Sequence, residues 1–205
     1  MVKYNYRKGV GMSNKKLVQQ VYESIDRSFF MDINKDLAYL DSAIPIGYGQ
    51  TISQPSLVLY MTEQLDIHAH NKVLEIGTGT GYQTAFLASL AKEVYTVERI
   101  EALHLSTKER LNLLGFTNIH YYLFDGSYGL EEHQPYDRIM FTAAASSIPD
   151  YYIDQLAENG VLIIPVGNAS HQDLLRVTKL SDGSINETSL EAVRFVPLVG
   201  EYEIT

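Results

Sequence analysis

Three glycines at alternating positions, Gly77, Gly79 and Gly81, follow a short apolar run and precede a helical pattern. Glycine lets the backbone turn sharply and approach a ligand closely, and the N-terminus of the next helix offers unpaired N–H groups. A loop of this kind suits any nucleotide-like cofactor. The residues around the glycines must therefore decide which cofactor it binds.

The glycine spacing and a nearby acid narrow this choice. A nicotinamide dinucleotide site prefers G-x-G-x-x-G, with the pyrophosphate at the helix N-terminus, whereas this loop reads G-x-G-x-G. Glu75 stands two positions before the first glycine, and a carboxylate there favours a cofactor with an ammonium group and no phosphate. S-adenosylmethionine has both properties. The loop from Glu75 through Thr78 to Gly81 therefore predicts an S-adenosylmethionine-dependent methyltransferase.

Two more acids follow the next predicted strands. Glu98 closes the second strand, 98 − 77 = 21 positions after the first glycine, where it can accept hydrogen bonds from both ribose hydroxyls. Asp125 and Gly126 end the third strand, where a side-chain oxygen can reach the exocyclic amine of adenine. Open α/β sheets bind ligands at the carboxyl ends of their strands. We therefore expect both acids to border the cofactor.

Short apolar strands alternate with helical patterns from residue 72 onward. Strands are predicted over 72–76, 93–97, 119–124, 138–142 and 161–166, and helices over 82–91, 100–114 and 151–157. This alternation predicts an α/β fold with a doubly wound, mostly parallel sheet, the Rossmann-like architecture of class I methyltransferases. Strands over 173–180 and 192–199, with a turn at Asp182-Gly183, predict an antiparallel pair at the C-terminus.

The N-terminal part of the chain predicts a helical segment followed by a loop. Leu17, Val21, Ile25 and Phe29 recur at four-residue spacing, so one amphipathic helix is expected over 15–32. Residues 38–56 are too rich in turn-forming residues for helix or strand, and a loop of this length is usually functional. A helical pattern resumes over 57–65.

Composition restricts the partners. The chain has 16 Lys and Arg against 25 Asp and Glu, a net charge of −9, so it repels a phosphate backbone and we expect no nucleic-acid partner. It has no cysteine, which fits a reducing compartment. No stretch approaches the roughly 20 apolar residues of a membrane span, and we expect a cytoplasmic protein without a membrane partner. His68 and His70 lack an apparent third ligand, so no metal is predicted.

Six stretches carry a family resemblance, in the family's order over about residues 40–200: IPIGYGQTISQP at 44–55, VLEIGTGTGYQ at 73–83, VYTVERI at 94–100, YDRIMFTAAA at 136–145, GVLIIPVG at 160–167 and VRFVPL at 193–198. Together they resemble the protein-L-isoaspartate O-methyltransferase family. The cofactor loop is common to all class I methyltransferases, whereas the stretch Ile44–Pro55 is specific to this family. With this resemblance we divide the chain into a helical segment and active-site loop, 1–56, and a methyltransferase core, 57–205, in one structural domain.

The resemblance implies an activity and a site. Such enzymes methylate the α-carboxylate of L-isoaspartyl residues, which form when Asp and Asn age, in damaged proteins and peptides. The ester cyclises without the enzyme to a succinimide, which reopens partly to normal aspartate. The resemblance places Ser53 at the active site as the catalytic residue and the loop Gln50–Ser53 beside both ligands: Gln50 and Thr51 toward the cofactor, and Thr51, Ile52 and Ser53 toward the substrate. A carboxylate is already ionised at neutral pH, so Ser53 is expected to orient the substrate rather than attack it.

Two departures from the family keep alternatives open. Family members commonly carry Pro-Arg after the first helix, whereas this chain reads DRSFFM over residues 26–31, without the proline. They also carry Gly-Asp-Gly where this chain has Phe124-Asp125-Gly126. The first departure motivates a different acceptor, such as an aspartate in a modified peptide or a small carboxylate. A cofactor-binding module without turnover and a nicotinamide-dependent oxidoreductase are less favoured, because the Ser53 loop is intact and the G-x-G-x-x-G spacing is missing.

Overall fold

The protein, described by a computed structural model over residues 13–200, is built around one mostly parallel sheet. Its strands are β1 (Ile44–Gly47), β2 (Gln50–Ile52), β3 (Lys72–Ile76), β4 (Glu93–Glu98), β5 (Ile119–Leu123), β6 (Tyr136–Phe141), β7 (Leu156–Gly167), β8 (Gln172–Lys179) and β9 (Ile185–Val193). Its helices are α1 (Asn14–Ser24), α2 (Pro55–Leu65), α3 (Tyr82–Leu90), α4 (Glu101–Leu113) and α5 (Asp150–Gln155). Short 3-10 turns cover Arg27–Phe30, Lys35–Leu37, Gly126–Tyr128 and Glu131–His133.

Within residues 13–200, seven strands form the main sheet in the order β5-β4-β3-β6-β7-β8-β9. The strands from β5 to β7 are parallel, and β8 and β9 add an antiparallel pair at one edge. The predicted doubly wound, mostly parallel fold with an antiparallel C-terminal end is therefore confirmed. The strand order reverses at β3, whose neighbours are β4 and β6. An open α/β sheet binds its ligand at such a switch point.

The sheet is covered on both faces, so β3 is buried along most of its length. Val73 packs in one apolar cluster with Val21 of α1, Met61 of α2 and Phe86 of α3. Leu74 points to the opposite face, into a second cluster that includes α5. The first cluster spans the proposed boundary at residue 56, and the division of the chain there stays a prediction. Residues 1–12 and 201–205 of the proposed segments lie outside the described part of the chain.

The single helix expected over 15–32 is wrong, because α1 ends at Ser24. Ser24 Oγ donates to the carbonyl of Val21 at 2.7 Å, and Ile25 leaves the helix with an extended backbone. The Asp26 carboxylate then accepts the N–H of Ser28 and starts a 3-10 turn. Phe29, the last member of the four-residue repeat, is 58% exposed as a result.

The expectation that 38–56 holds no strand is also wrong. β1 and β2 pair there as a small antiparallel hairpin, in which the buried Ile44 and Ile52 face each other.

The last strand was predicted too late in the chain. β9 ends at Val193, and it begins soon after the predicted turn at Asp182-Gly183, where Leu180 N–H donates to the carbonyl of Ser184. The residues after β9 turn toward the carboxyl ends of the strands instead.

Candidate active site

A cleft opens at the carboxyl ends of β3, β4 and β6, which is where open α/β sheets bind their ligands. The glycine loop and the active-site loop meet there. The predicted site residues on its wall are Gln50, Thr51, Ile52, Ser53, Gly77, Thr78, Gly79, Glu98 and Gly126. The predicted residues that are absent from this wall are Glu75, Gly81 and Asp125.

The glycine loop is fixed between the two strands that flank β3. The N–H groups of Gly77 and Thr78 donate to the carbonyl of Val97 at 2.9 and 3.2 Å, and Thr142 N–H donates to the carbonyl of Ile76. Gly77 has φ = +95°, and a Cβ there would overlap Thr142 Oγ1. Glycine is therefore required at this position for both backbone conformation and space.

Glu98 reaches the cavity wall while its carboxylate holds the surrounding backbone. Oε2 accepts the N–H of Gly79 at 2.8 Å, and Oε1 accepts the N–H groups of Arg99 and Ile100, each at 2.9 Å. A carboxylate has about four acceptor sites, so these bonds leave capacity for a ligand hydroxyl. The position agrees with the expected ribose contact, which stays a prediction.

Glu75 lies beneath the glycine loop and not at the cavity wall. Its side chain is fully buried, and Oε2 accepts from the hydroxyls of Thr84 and Thr96 at 2.6 Å each. Burial raises the pKa of Glu75 to about 8, although the two hydroxyl bonds oppose this effect. We therefore revise its expected role: the side chain joins β3, β4 and α3 under the loop, and it has no direct route to a cofactor ammonium group.

Gly81 and Asp125 also do not line the cavity. Gly81 starts α3, where a Cβ would come within 2.7 Å of Thr107 and 3.0 Å of Leu111 on α4, so this glycine serves helix packing. Asp125 is exposed, and its Oδ1 accepts the N–H and the hydroxyl of Ser127 at 2.9 and 2.8 Å. Its neighbours Phe124 and Gly126 line the cavity. The contact between Asp125 and adenine stays a prediction.

The active-site loop reaches the cavity as the β2 strand and the residue after it. Gln50, Thr51, Ile52 and Ser53 all line the wall, and the side chain of Ile52 is buried. The carbonyl groups of Ile52 and Ser53 accept hydrogen bonds from the Arg27 guanidinium. From the sequence, Arg27 was noted only as part of the segment that lacks the family's proline.

Several wall residues were missed from the sequence. Tyr82 and Gln83 open α3, and Thr142 follows β6. Residues 196–199 cross the cavity edge, where Ala144 N–H donates to the carbonyl of Val196 and Leu198 N–H donates to the carbonyl of Ala144, at 2.9 and 2.7 Å. The one signal for this segment is the VRFVPL stretch, which carries the family resemblance but indicates no location by itself.

The wall suits a reaction whose nucleophile arrives already ionised. Among the described residues that line it there is no histidine, lysine or cysteine, and the carboxylate of Glu98 is bound to backbone N–H groups. A general base at the reacting atoms would need to be within hydrogen-bond reach of the proton it removes. A carboxylate acceptor requires no such base, whereas an alcohol or amide would.

Within residues 13–200, no group of three His, Cys, Asp or Glu side chains could hold a metal ion. His68 and His70 stack with ring centroids 5.8 Å apart, and His68 lies 3.3 Å from Asp66. No helix in the same range is long and apolar enough to cross a membrane.

Comparison with known proteins decides the family. The sequence model described as Protein-L-isoaspartate(D-aspartate) O-methyltransferase matches residues 1–203. The chain belongs to this family. It is 47% identical to the protein-L-isoaspartate O-methyltransferase of Dictyoglomus turgidum, over 98% of this chain and 94% of that one. It is 45% identical to the protein of the same name from Geobacter metallireducens, over 94% and 89% of the two chains.

Solved structures agree with this membership in the isoaspartate O-methyltransferase family. One protein-L-isoaspartate O-methyltransferase superposes with a TM-score of 0.82 at 26% identity, and the match covers 94% of this chain but 63% of that longer one. A putative family member from Plasmodium falciparum, solved with S-adenosyl-L-homocysteine, gives 0.73 at 24% identity, over 91% and 98% of the chains. The predicted enzyme class and methyl donor are thus confirmed by the family.

Proposed function

We propose that this chain transfers a methyl group from S-adenosylmethionine to the α-carboxylate of L-isoaspartyl residues in damaged proteins and peptides. The observation that carries the proposal is a single cavity lined both by the glycine loop and by Gln50–Ser53. In an isoaspartate O-methyltransferase, this arrangement brings the donor and acceptor halves of the reaction within contact of each other.

The donor half of the cavity, formed by the glycine loop and Glu98, matches the polarity of S-adenosylmethionine. Gly77 and Gly79 bring backbone without side chains to the wall, and the Glu98 carboxylate keeps capacity for a ribose hydroxyl. The apolar side chains of Val97, Ile100 and Phe124 flank Glu98 and suit a purine base. When bound, the cofactor supplies a methyl group activated by a sulfonium.

The acceptor half of the cavity, formed by Gln50–Ser53, would orient the substrate carboxylate. Methyl transfer is an in-line displacement, so the carboxylate oxygen must be held on the axis of the breaking bond, and such positioning can contribute several kcal/mol. Ser53 lines the cavity and can donate a hydrogen bond to the second carboxylate oxygen. The neighbouring Ile52 and Leu198 present apolar surface that limits access of water to the carboxylate.

A different acceptor is not favoured. That alternative was motivated by the altered segment around Phe29-Phe30, within residues 26–31, which lacks the proline that the family commonly has. The Asp26 carboxylate caps the 3-10 turn that carries Arg27, and Arg27 itself is retained and buried. Neither Asp26 nor Arg27 lines the cavity, so the missing proline gives no direct reason to expect a different acceptor. Relatives at 45–48% identity carry the isoaspartate O-methyltransferase name.

The test uses labelled S-adenosylmethionine and paired peptides that differ only in isoaspartate or aspartate. We expect a base-labile methyl ester on the isoaspartyl peptide alone. Ser53→Ala should lower kcat about 100-fold and keep the Kd of S-adenosylhomocysteine within about twofold. Ser56→Ala, in the same segment but off the cavity wall, is the matched control and should retain turnover. Transfer to neither peptide, or equal transfer to both, would contradict the proposal.

We also infer the setting in which the enzyme acts. The net charge of −9 disfavours nucleic acid as a partner, and the lack of cysteine fits the reducing cytoplasm. Its partners would then be cytoplasmic proteins and peptides that contain isoaspartate, with no role for a membrane. Recovery of the protein in the membrane fraction of gently lysed cells, or its retention on DNA at physiological salt, would contradict this inference.

A further inference from the structure

Arg27 is a buried cation that donates hydrogen bonds to the backbone before and after the β1–β2 hairpin. Its side chain is 4% exposed, and its guanidinium lies between the segment 38–42 and the end of β2. Nη1 donates to the carbonyls of Ala38 and Leu40 at 3.2 and 3.0 Å. This end of the guanidinium therefore holds the segment that precedes the β1–β2 hairpin.

The other terminal nitrogen holds the catalytic loop. Nη2 of Arg27 donates to the carbonyls of Ser42, Ile52 and Ser53 at 2.8, 3.3 and 2.9 Å. One rigid, planar group thus fixes carbonyls from two chain segments, and the last of them belongs to Ser53. The positions of Arg27 and Ser53 are 26 residues apart.

The partners of this cation are unusual for a buried charge. The five groups that accept its hydrogen bonds are backbone carbonyls, and Asp41 acts on it only through a weaker Coulombic attraction. Burial lowers the pKa of Arg27, but an arginine stays protonated in proteins. The guanidinium also lies 5.9 Å from the ring centre of Tyr82, which lines the cavity.

We propose that Arg27 is a positioning residue for the acceptor: its guanidinium sets the backbone of Ser53, and through it the orientation in which the isoaspartyl carboxylate is held. The inference rests on the proposed function, because it concerns the acceptor half of the same cavity. Arg27 itself is not on the cavity wall, so it acts through the loop and does not contact the reacting atoms.

The requirement is for arginine rather than for any cation. A guanidinium presents donors in a fixed fork, so two nitrogens separated in space can serve two chain segments at once. A lysine ammonium is one point donor on a flexible stem and can serve one segment well. A buried carbonyl that loses its donor is destabilising, so the loop would shift to find other partners.

The experiment replaces Arg27 by lysine and separates binding from turnover. We expect Arg27→Lys to lower kcat/KM for the isoaspartyl peptide about 100-fold, with both a lower kcat and a higher KM, while the Kd of S-adenosylhomocysteine changes less than threefold. Arg176→Lys is the matched control, because Arg176 also binds a carbonyl, that of Gln64, at 3.0 Å, but away from the cavity. It should change neither quantity by more than about threefold.

A readout independent of activity keeps this inference separate from the proposed function. Hydrogen exchange should become faster in Arg27→Lys over residues 38–56 and stay unchanged over the glycine loop 77–81. If the parent enzyme methylates no isoaspartyl peptide, the proposed function fails while the exchange result still judges the role of Arg27. Unchanged exchange over 38–56, or a loss of cofactor affinity as large as the loss of turnover, would overturn the proposal.

Chemical rescue provides a second variant if lysine prevents folding. Arg27→Ala removes the guanidinium and leaves space for a free one. Guanidinium chloride at about 20 mM should restore kcat/KM at least fivefold, whereas methylammonium chloride at the same concentration should not. Equal restoration by both salts would show an effect of ionic strength and contradict the proposed role, as would no restoration in a folded variant.

Discussion

The glycine loop and the active-site loop face the same cavity but are held in opposite ways. The glycine loop is fixed by residues next to it in the sheet: Gly77 and Thr78 donate to Val97, and Gly79 donates to the Glu98 carboxylate. Its backbone N–H groups are thus bound by acceptors. The active-site loop is fixed through its carbonyls, by a buried cation 26 residues away in sequence.

The two halves of the site can therefore fail separately. The donor half depends on backbone conformation, so a change in a glycine should alter cofactor affinity. The acceptor half depends on one distant side chain, so a change there should alter turnover while the cofactor still binds. Measurements of S-adenosylhomocysteine affinity and of kcat/KM can therefore assign a substitution to one half or the other.

The largest expected effect tests whether the donor half is set by its glycine backbone. Gly77→Ala introduces a Cβ at φ = +95° that overlaps Thr142 Oγ1, which donates to the carbonyls of Ile76 and Gly77. We expect the Kd of S-adenosylhomocysteine to rise about 100-fold, equivalent to roughly 2.7 kcal/mol. Isothermal titration calorimetry measures this directly.

Gly115→Ala separates backbone strain from loop shape. Gly115 has φ = +88°, but nothing lies within 4 Å of the position of a Cβ, and it is not on the cavity wall. We expect about 1 kcal/mol lower stability from the backbone conformation alone, with cofactor affinity within twofold of the parent. Equal losses of cofactor affinity in Gly77→Ala and Gly115→Ala would show that affinity does not depend specifically on the backbone of the glycine loop.

A second prediction concerns the acid under the donor half. The pKa of Glu75 is about 8 in the folded protein and about 4.3 in an unfolded chain, so between these values the folded state binds one more proton. The free energy of unfolding should then fall as pH rises from about 5 to 8, by up to about 1.4 kcal/mol per pH unit from this group. Glu75→Gln keeps an acceptor for Thr84 and Thr96 and should remove this contribution.

Urea unfolding at pH 5, 6, 7 and 8 checks the sign. The stability of Glu75→Gln relative to the parent should increase steadily with pH. Glu158→Gln, which changes an exposed glutamate, should follow the parent instead. Because Glu75 supports the loop without contacting the cavity, its glutamine variant should also keep the Kd of S-adenosylhomocysteine within threefold. Loss of affinity without any change in pH dependence would restore the ammonium contact first expected from the sequence.

The glycine loop and Glu98 could be placed at one cavity from the sequence because their signals are local. A glycine spacing, the strand before it and the acid that closes the next strand all lie in short stretches, and the sheet makes neighbours of them. Glu75 was misplaced because β3 is buried on both faces. A strand of that kind reads as a continuous apolar run, and no alternation of polar and apolar residues shows which face a given side chain takes.

The acceptor half was predictable only through family resemblance. The contacts of Arg27 are to backbone carbonyls, which every residue type carries, so no sequence pattern marks them.

The position of the last strand shows a related limit of prediction from sequence. β9 is an exposed, mostly polar edge strand, whereas the more apolar residues after it line the cavity. The apolar pattern therefore led to a predicted strand that includes residues which line the cavity instead.

The smallest expected effect asks whether Asp125 belongs to the donor half at all. Its Oδ1 is bound by Ser127, while Oδ2 faces the chain near Gly200, and the residues on either side line the cavity. If Asp125 accepts a hydrogen bond from the exocyclic amine of adenine, the parent enzyme should bind S-adenosylhomocysteine about tenfold more tightly than its deaminated analogue, S-inosylhomocysteine. Asp125→Ala should bring the two affinities within about twofold. Discrimination that survives in the variant would instead assign adenine recognition to the backbone beside Gly126, and the donor half would then be built almost wholly from main-chain groups and the Glu98 carboxylate.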